Sequence, residues 1–235
     1  MSPNVIVERI TEALSRAQKD WKTARRRADQ EPQTHQYTIA IAREAGTPGS
    51  AVAHEVGALL GWVVYGHELV ERIAHEMGLR VSLVESLDER RQSWLRESLQ
   101  ALGSGPPASE AAYVHRLTET ILSLGAHGRC VIIGRGAAQI LPPQTTLRVR
   151  LIGPREDRIA HAMRQHSLTH REAAHWVDAT DRERRRFVRD HFQKDPVEPG
   201  GYDLKLNAFR WSIRGCAELI IESLRCMERE RTVSG

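Results

Sequence analysis

The chain has 235 residues, a mass of 26.5 kDa and a formal net charge of +4, with 40% hydrophobic and 27% charged residues. That balance suits one large globular domain or two small ones. No run of about 18 consecutive apolar residues occurs, which excludes a transmembrane helix, and Glu8 and Glu12 stand where a secretory signal needs an apolar stretch.

In chain order, Val5, Ile6, Ile10, Ala13, Leu14 and Ala17 recur at helical spacing, so residues 1–36 read as a helical extension and linker. Residues 37–42 (YTIAIA) are a short buried-strand pattern, and the turn over 43–50 contains Gly46 and Gly49. A helix over 51–60 stops at Gly61. A second strand spans 62–65, and helices are expected over 67–77, 82–102 and 109–124, with a Ser82/Glu85 capping box opening the middle one. The third strand is 130–133, followed by the Gly134-Arg135-Gly136 turn and a short helix. A fourth strand spans 147–152. Pro154, at a favoured N1 position, opens a helix to about 166. A long arginine-rich helix covers 169–192, a fifth strand 202–206 and a last helix 212–229. Strands alternating with helices predict an α/β fold: a parallel sheet with helices on both faces. Such sheets bind ligands beyond the carboxyl ends of their strands.

The first strand-to-helix turn is the strongest local signal for chemistry. Its backbone N–H groups can surround an anion at the helix N-terminus. Thr47 and Ser50 add hydroxyls and Arg43 adds charge. The turn departs from a standard P-loop, because no lysine follows its glycines. An ordinary turn explains the same residues. Arg135 projects from a second turn of the same kind; a structural arginine is its plain alternative.

Arginine dominates the positive charge, since only four of the 34 basic residues are lysine (Lys19, Lys22, Lys194 and Lys205). Its planar fork suits phosphate, although codon usage explains the excess equally well. Arg182, Arg185, Arg186 and Arg189 share one helical face. They could close over phosphates as a mobile lid or form a solvated face. Together with Arg25–Arg27 they could also track a nucleic-acid backbone, but the modest charge and 5% aromatics speak against it. His161, His166, His170 and His175 read as solvated helix residues rather than metal ligands. The five tryptophans read as packing anchors. Cys130, Cys216 and Cys226, an odd number without CxxC spacing, read as buried small hydrophobes in a reducing cytoplasm.

Taken together, these segments resemble the cytidylate kinase-like family, a divergent branch of the nucleoside monophosphate kinases. Residues 42–50 (AREAGTPGS) are similar to its S-R-E-[FY]-G-S-G-G-[RS] loop, and 131–137 (VIIGRGA) to its second motif. Residues 147–164 match its fourth strand and following helix, 181–187 (DRERRRF) resemble its D-x-E-R lid helix, and 202–207 (YDLKLN) its Y-D-L-x-L-N strand. The departures are Pro48 in place of a family glycine, Gly66 in place of aspartate, and Ile133 and Gly136 where true cytidylate kinases carry aspartates.

The resemblance implies a P-loop kinase-like three-layer fold over 37–230, with a five-stranded parallel sheet. It also implies a helical acceptor-binding insertion at about 62–125 and an arginine-rich lid at about 167–200. The implied reaction moves the ATP γ-phosphoryl group to CMP, with ATP and Mg²⁺ as cofactors. Gly46, Thr47, Gly49 and Ser50 would surround the donor phosphates. Arg43 would add the charge the loop lacks. Arg135 would hold the acceptor phosphate, with Tyr65 on the acceptor side. Arg182, Arg184 and Arg186 are the lid arginines, with Asp181 orienting one of them. The magnesium ligands stay unassigned. A catalytically degenerate nucleotide- or partner-binding domain, and a homodimer formed through the N-terminal helix, remain open.

Overall fold

A computed structural model of the chain describes residues 37–66, 68, 70 and 110–233. The N-terminal helix expected over 1–36, and most of the helices expected over 67–102, lie outside the described residues. Elements are numbered below in chain order among the described residues.

Five strands form one sheet: β1 (Thr38–Arg43), β2 (Val63–Tyr65), β3 (Cys130–Ile133), β4 (Thr146–Ile152) and β5 (Leu204–Asn207). Their order is β2-β3-β1-β4-β5, and every pairing is parallel. The apolar sequence of β1 follows from its position at the centre, where both faces are covered. On one face Ile39, Ile41, Val131, Ile133, Leu147, Val149 and Leu151 build the main core. Val52, Ala53 and Val56 of α1 (Gly49–Leu60) close it, with Ala217, Ile220 and Leu224 of α6 (Ile213–Val233). The opposite face carries α2 (Glu110–His127) and α3 (Ala137–Ile140). There the Thr38 hydroxyl reaches the Gly125 carbonyl at 3.5 Å and Leu141 packs on Gly125. The result is the expected α/β architecture, a five-stranded parallel sheet with helices on both faces.

A smaller apolar cluster lies off the sheet. Ile159 and Ala162 of α4 (Arg155–His166) pack on Ala173 and Val177 of α5 (His170–Phe192), and Ala45 of the β1–α1 turn joins them. This cluster mounts the arginine-rich helix against the turn.

Local chemistry accounts for the boundaries. Gly61 ends α1 in the left-handed conformation (φ 65°), its N–H bonded to the Gly57 carbonyl. Thr169 and Glu172 form a capping box at the start of α5, whereas the box expected at Ser82 falls outside the described residues. Pro154 is the N-cap of α4 and not its first helical residue. Strand β5 begins two residues later than expected. Tyr202 follows a 3₁₀ turn, and the Asp203 carboxylate clamps the Arg148 side chain at 2.7 Å. Two packing expectations need correction. Trp211 is 51% exposed and anchors no core. Cys226 is only half-buried and lies 3.1 Å from Arg229 Nη2, because it faces the outer side of α6.

Candidate functional site

Parallel order brings the carboxyl ends of β1, β3 and β4 to one edge, so the turns after them meet there. A cavity of about 690 Å³ opens at this edge beneath α5. Arg43, Arg135, Arg184, Gly134 and Asp181 are among its lining residues.

Arg43 is the last residue of β1, and its side chain turns across the start of α1. A Cβ placed on Gly49 would lie 2.6 Å from Arg43 Cδ, and one placed on Gly134 would lie 2.9 Å from Arg43 Nη1. The guanidinium is thus threaded between the two turns. Arg184 approaches from α5 and donates a 3.1 Å hydrogen bond to the Arg43 carbonyl oxygen. Arg135 sits in the left-handed conformation (φ 50°) between two positive-φ glycines and lines the same cavity. Burial, then Arg184, then Arg135 push the Arg43 guanidinium down to about 10. Burial foremost also lowers Arg184; Asp181 and Glu183 oppose the shift, and Arg135 adds to it. Three cations converging this closely repel one another unless an anion joins them.

The turn beneath them is wired to its surroundings. Gly46 has φ 79°, and a Cβ there would collide with the Arg158 carbonyl, so this position needs glycine. Desolvation, then the charge of Arg164, lower the His161 pKa, and the nearby Gly46 backbone opposes the shift. The Thr47 hydroxyl donates to the Glu44 carbonyl at 2.7 Å. Pro48 is the N-cap of α1 and makes no side-chain cap bond, so the first-turn N–H groups at Gly49 and Ser50 keep the open end typical of an anion site. Ser50 is exposed beside it.

Two residues that sequence reasoning missed hold this edge together. Arg158, only 9% exposed, donates to the Gly153 carbonyl (3.1 Å), the Ala45 carbonyl (3.1 Å) and Asp181 Oδ2 (2.6 Å). Glu44 accepts from the Gly153 N–H at 3.1 Å and pairs with Arg150 and Arg158. A signal existed for Arg158. It falls on the same helical face as Ile159 and Ala162, the face an amphipathic helix buries.

The expected site residues therefore separate. Arg43, Arg135 and Arg184 converge, with Gly46, Thr47, Gly49 and Ser50 below them. Asp181 engages Arg158 and the Ala45 N–H (2.7 Å) rather than Arg182 or Arg186. Arg186 is 83% exposed at the cavity rim and pairs with Asp190. Arg182 is exposed and lines no part of the cavity. Tyr65 is 1% exposed, and its buried hydroxyl has no partner among the described residues. It too lies outside the cavity lining, on the sheet face that carries Ile132 and α2.

Among solved structures, the chain is similar to an uncharacterized protein from Eubacterium ventriosum. They are 19% identical with a TM-score of 0.63, over 81% of this chain and 99% of that one. A shikimate kinase from Acinetobacter baumannii, in complex with shikimate, aligns at 14% identity and a TM-score of 0.48, over 82% of this chain and 95% of that one. No curated protein matches. Residues 38–209, from the first strand to the end of the β5 turn, match the cytidylate kinase-like family, and the chain belongs to that family.

Proposed function

We propose that the protein transfers the γ-phosphoryl group of ATP to CMP or a related pyrimidine monophosphate. The observation that carries this reading is the convergence of Arg43, Arg135 and Arg184 on one cavity beside the β1–α1 turn. A phosphate oxygen of the acceptor attacks the γ-phosphorus, the bond to the β–γ bridging oxygen breaks, and ADP leaves. Charge spreads over the transferring oxygens, so positioned cations do most of the catalytic work. Arg43 and the turn N–H groups hold the donor phosphates, Arg135 holds the acceptor phosphate, and Arg184 reaches both from the lid. Helix α5 excludes water from above. The pyrimidine preference rests on the family alone. The family and the free cysteines favour a cytoplasmic setting.

The family implies nucleotide and Mg²⁺ use in general. The described residues do not fit a carboxylate cage for the metal. Strand β3 ends on Ile133 and leads into Gly134, and no group of three His, Cys, Asp or Glu residues gathers among the described residues. Glu44 and Asp181 are already bound to Arg158.

A second reading, nucleotide binding without turnover, draws on two features. Asp181 occupies the Ala45 N–H, and Pro48 removes another N–H from the turn. ADP formation from ATP in Mg²⁺ buffer, with CMP, dCMP, UMP, AMP and GMP as acceptors, separates the two. Turnover with a pyrimidine monophosphate, abolished by Arg135→Ala, supports the kinase. Thermal stabilisation by ATP with no turnover on any acceptor supports the binding domain.

A further inference from the structure

Helix α5 does not keep one character along the cavity. Its cavity-lining stripe begins with Asp181 and Arg184 beside the β1–α1 turn and continues with Phe187 and His191. These follow Arg184 at three- and seven-residue spacing, on the same side of the helix. The stripe thus runs about 4.5 and 10 Å along the axis beyond Arg184, the length of a nucleotide from its phosphate to the far edge of its base. Phe187 and His191 meet edge to face, with ring centroids 4.9 Å apart. Phe192 is the structural member of this aromatic group. It packs on Gly136, where a Cβ would lie 2.4 Å from its ring, and so holds the aromatic end of α5 next to Arg135. Phe187 and His191 line the cavity instead.

The same part of the cavity has a polar side. Gln139, one helical turn after Arg135, and Tyr202 both line it. The Tyr202 hydroxyl accepts from Gln139 Nε2 at 3.0 Å and from Arg150 Nη1 at 3.4 Å. Two donors fill its lone pairs, so its own proton is left to donate to a third partner. The Gln139 amide nitrogen is spent on Tyr202, which leaves Oε1 as its acceptor. An acceptor beside a hydroxyl donor matches the edge of cytosine, where an amino group donates next to a ring nitrogen that accepts. Uracil presents the reverse, a carbonyl beside a ring N–H.

We infer that this end of the cavity binds the base of the acceptor nucleotide, with Phe187 and His191 against its face and Gln139 and Tyr202 along its edge. The inference rests on the phosphoryl-transfer reading of the site, in which Arg135 holds the acceptor phosphate. It adds where the base lies and which side chains choose it. Stacking on an aromatic ring tolerates any base, so Phe187 supplies affinity and the Gln139–Tyr202 edge supplies the choice.

Acceptor fragments separate the base site from the phosphate site. Calorimetry on the full chain measures CMP and UMP directly, and ribose 5-phosphate, which has no base, by displacement of CMP. The variants are Phe187→Leu, Gln139→Leu and Arg135→Ala, each checked for folding by circular dichroism. Wild type binds CMP more tightly than ribose 5-phosphate by about tenfold. Phe187→Leu loses about tenfold for CMP and UMP alike. Gln139→Leu loses about fivefold for CMP and erases the preference over UMP. Neither change moves ribose 5-phosphate, whereas Arg135→Ala weakens all three ligands. Folded Phe187→Leu and Gln139→Leu proteins that bind CMP as wild type does, or that weaken ribose 5-phosphate as much as CMP, overturn the base site and leave the phosphate reading standing. So does a wild type that binds CMP no more tightly than ribose 5-phosphate. A wild type that binds neither overturns both.

Discussion

Arg43→Met changes stability and binding in opposite directions. Methionine keeps an unbranched stem over Gly49 and removes only the charge. Burial, then Arg184 and Arg135, lower the Arg43 pKa from its ordinary value to about 10. That corresponds to a penalty on the charged form of about 3 kcal/mol, or about 1–2 kcal/mol once solvent screening is discounted. The Arg184 bond to the Arg43 carbonyl is made to backbone and survives the substitution. Removing the cation therefore relieves the free protein, and a melting temperature about 2–8 °C above wild type is expected for a chain of this size. The same change removes a charge-assisted bond to phosphate of about 1.5–3 kcal/mol, which weakens ATP binding about 10–150-fold. Differential scanning calorimetry reads the first effect and titration calorimetry the second. A lower melting temperature with unchanged ATP affinity would make Arg43 a structural residue and refute the reasoning.

Other perturbations follow from the same contacts. Arg158→Met strands Asp181 and two backbone carbonyls, a loss of about 3 kcal/mol, and should lower the melting temperature by about 6–12 °C; no change would show that the hub carries no stability. Gly136→Ala meets both a φ of 72° and the Phe192 ring. It should cost about 1–3 kcal/mol, and adding Phe192→Ala should return the steric part only, as read by urea denaturation. Two hydrogen bonds from Thr169 hold Glu172 below its ordinary 4.5. The Glu172 contribution is therefore fully present above pH 4.5 and is lost as pH falls through the lowered value. The melting-temperature gap between wild type and Glu172→Gln should be open at pH 7 and narrow as pH falls below 4.5; a gap independent of pH would rule out the charged cap.

The sheet was legible because its central strands are fully covered and read as unbroken apolar runs, and because glycine marks the turns after β1, β2, β3 and β4. Arg43 and Arg135 could be placed for the same reason: each adjoins a strand end that flows into such a turn. The lid was harder. Helical spacing groups Arg182, Arg185, Arg186 and Arg189, and that group is the solvent face. Arg184 lies off this stripe and points inward, where charge is rare and pattern gives no warning. Arg158 escaped attention for a related reason. An arginine flanked by Glu156, Asp157 and Arg155 reads as surface, although it shares the buried side of α4 with Ile159 and Ala162. Asp181 drew notice as a partner for the lid arginines, but its partner comes from α4, 23 residues away, which no local pattern encodes.

The most direct test of the central claim is a crystal structure of the full chain with ADP and CMP bound. The account predicts the β-phosphate of ADP over the α1 N-terminus, within hydrogen-bond distance of Arg43 and the Gly49 and Ser50 N–H groups. The CMP phosphate should lie against Arg135, with Arg184 between the two. Phosphates seated elsewhere, with the three guanidiniums still facing one another across the cavity, would contradict it.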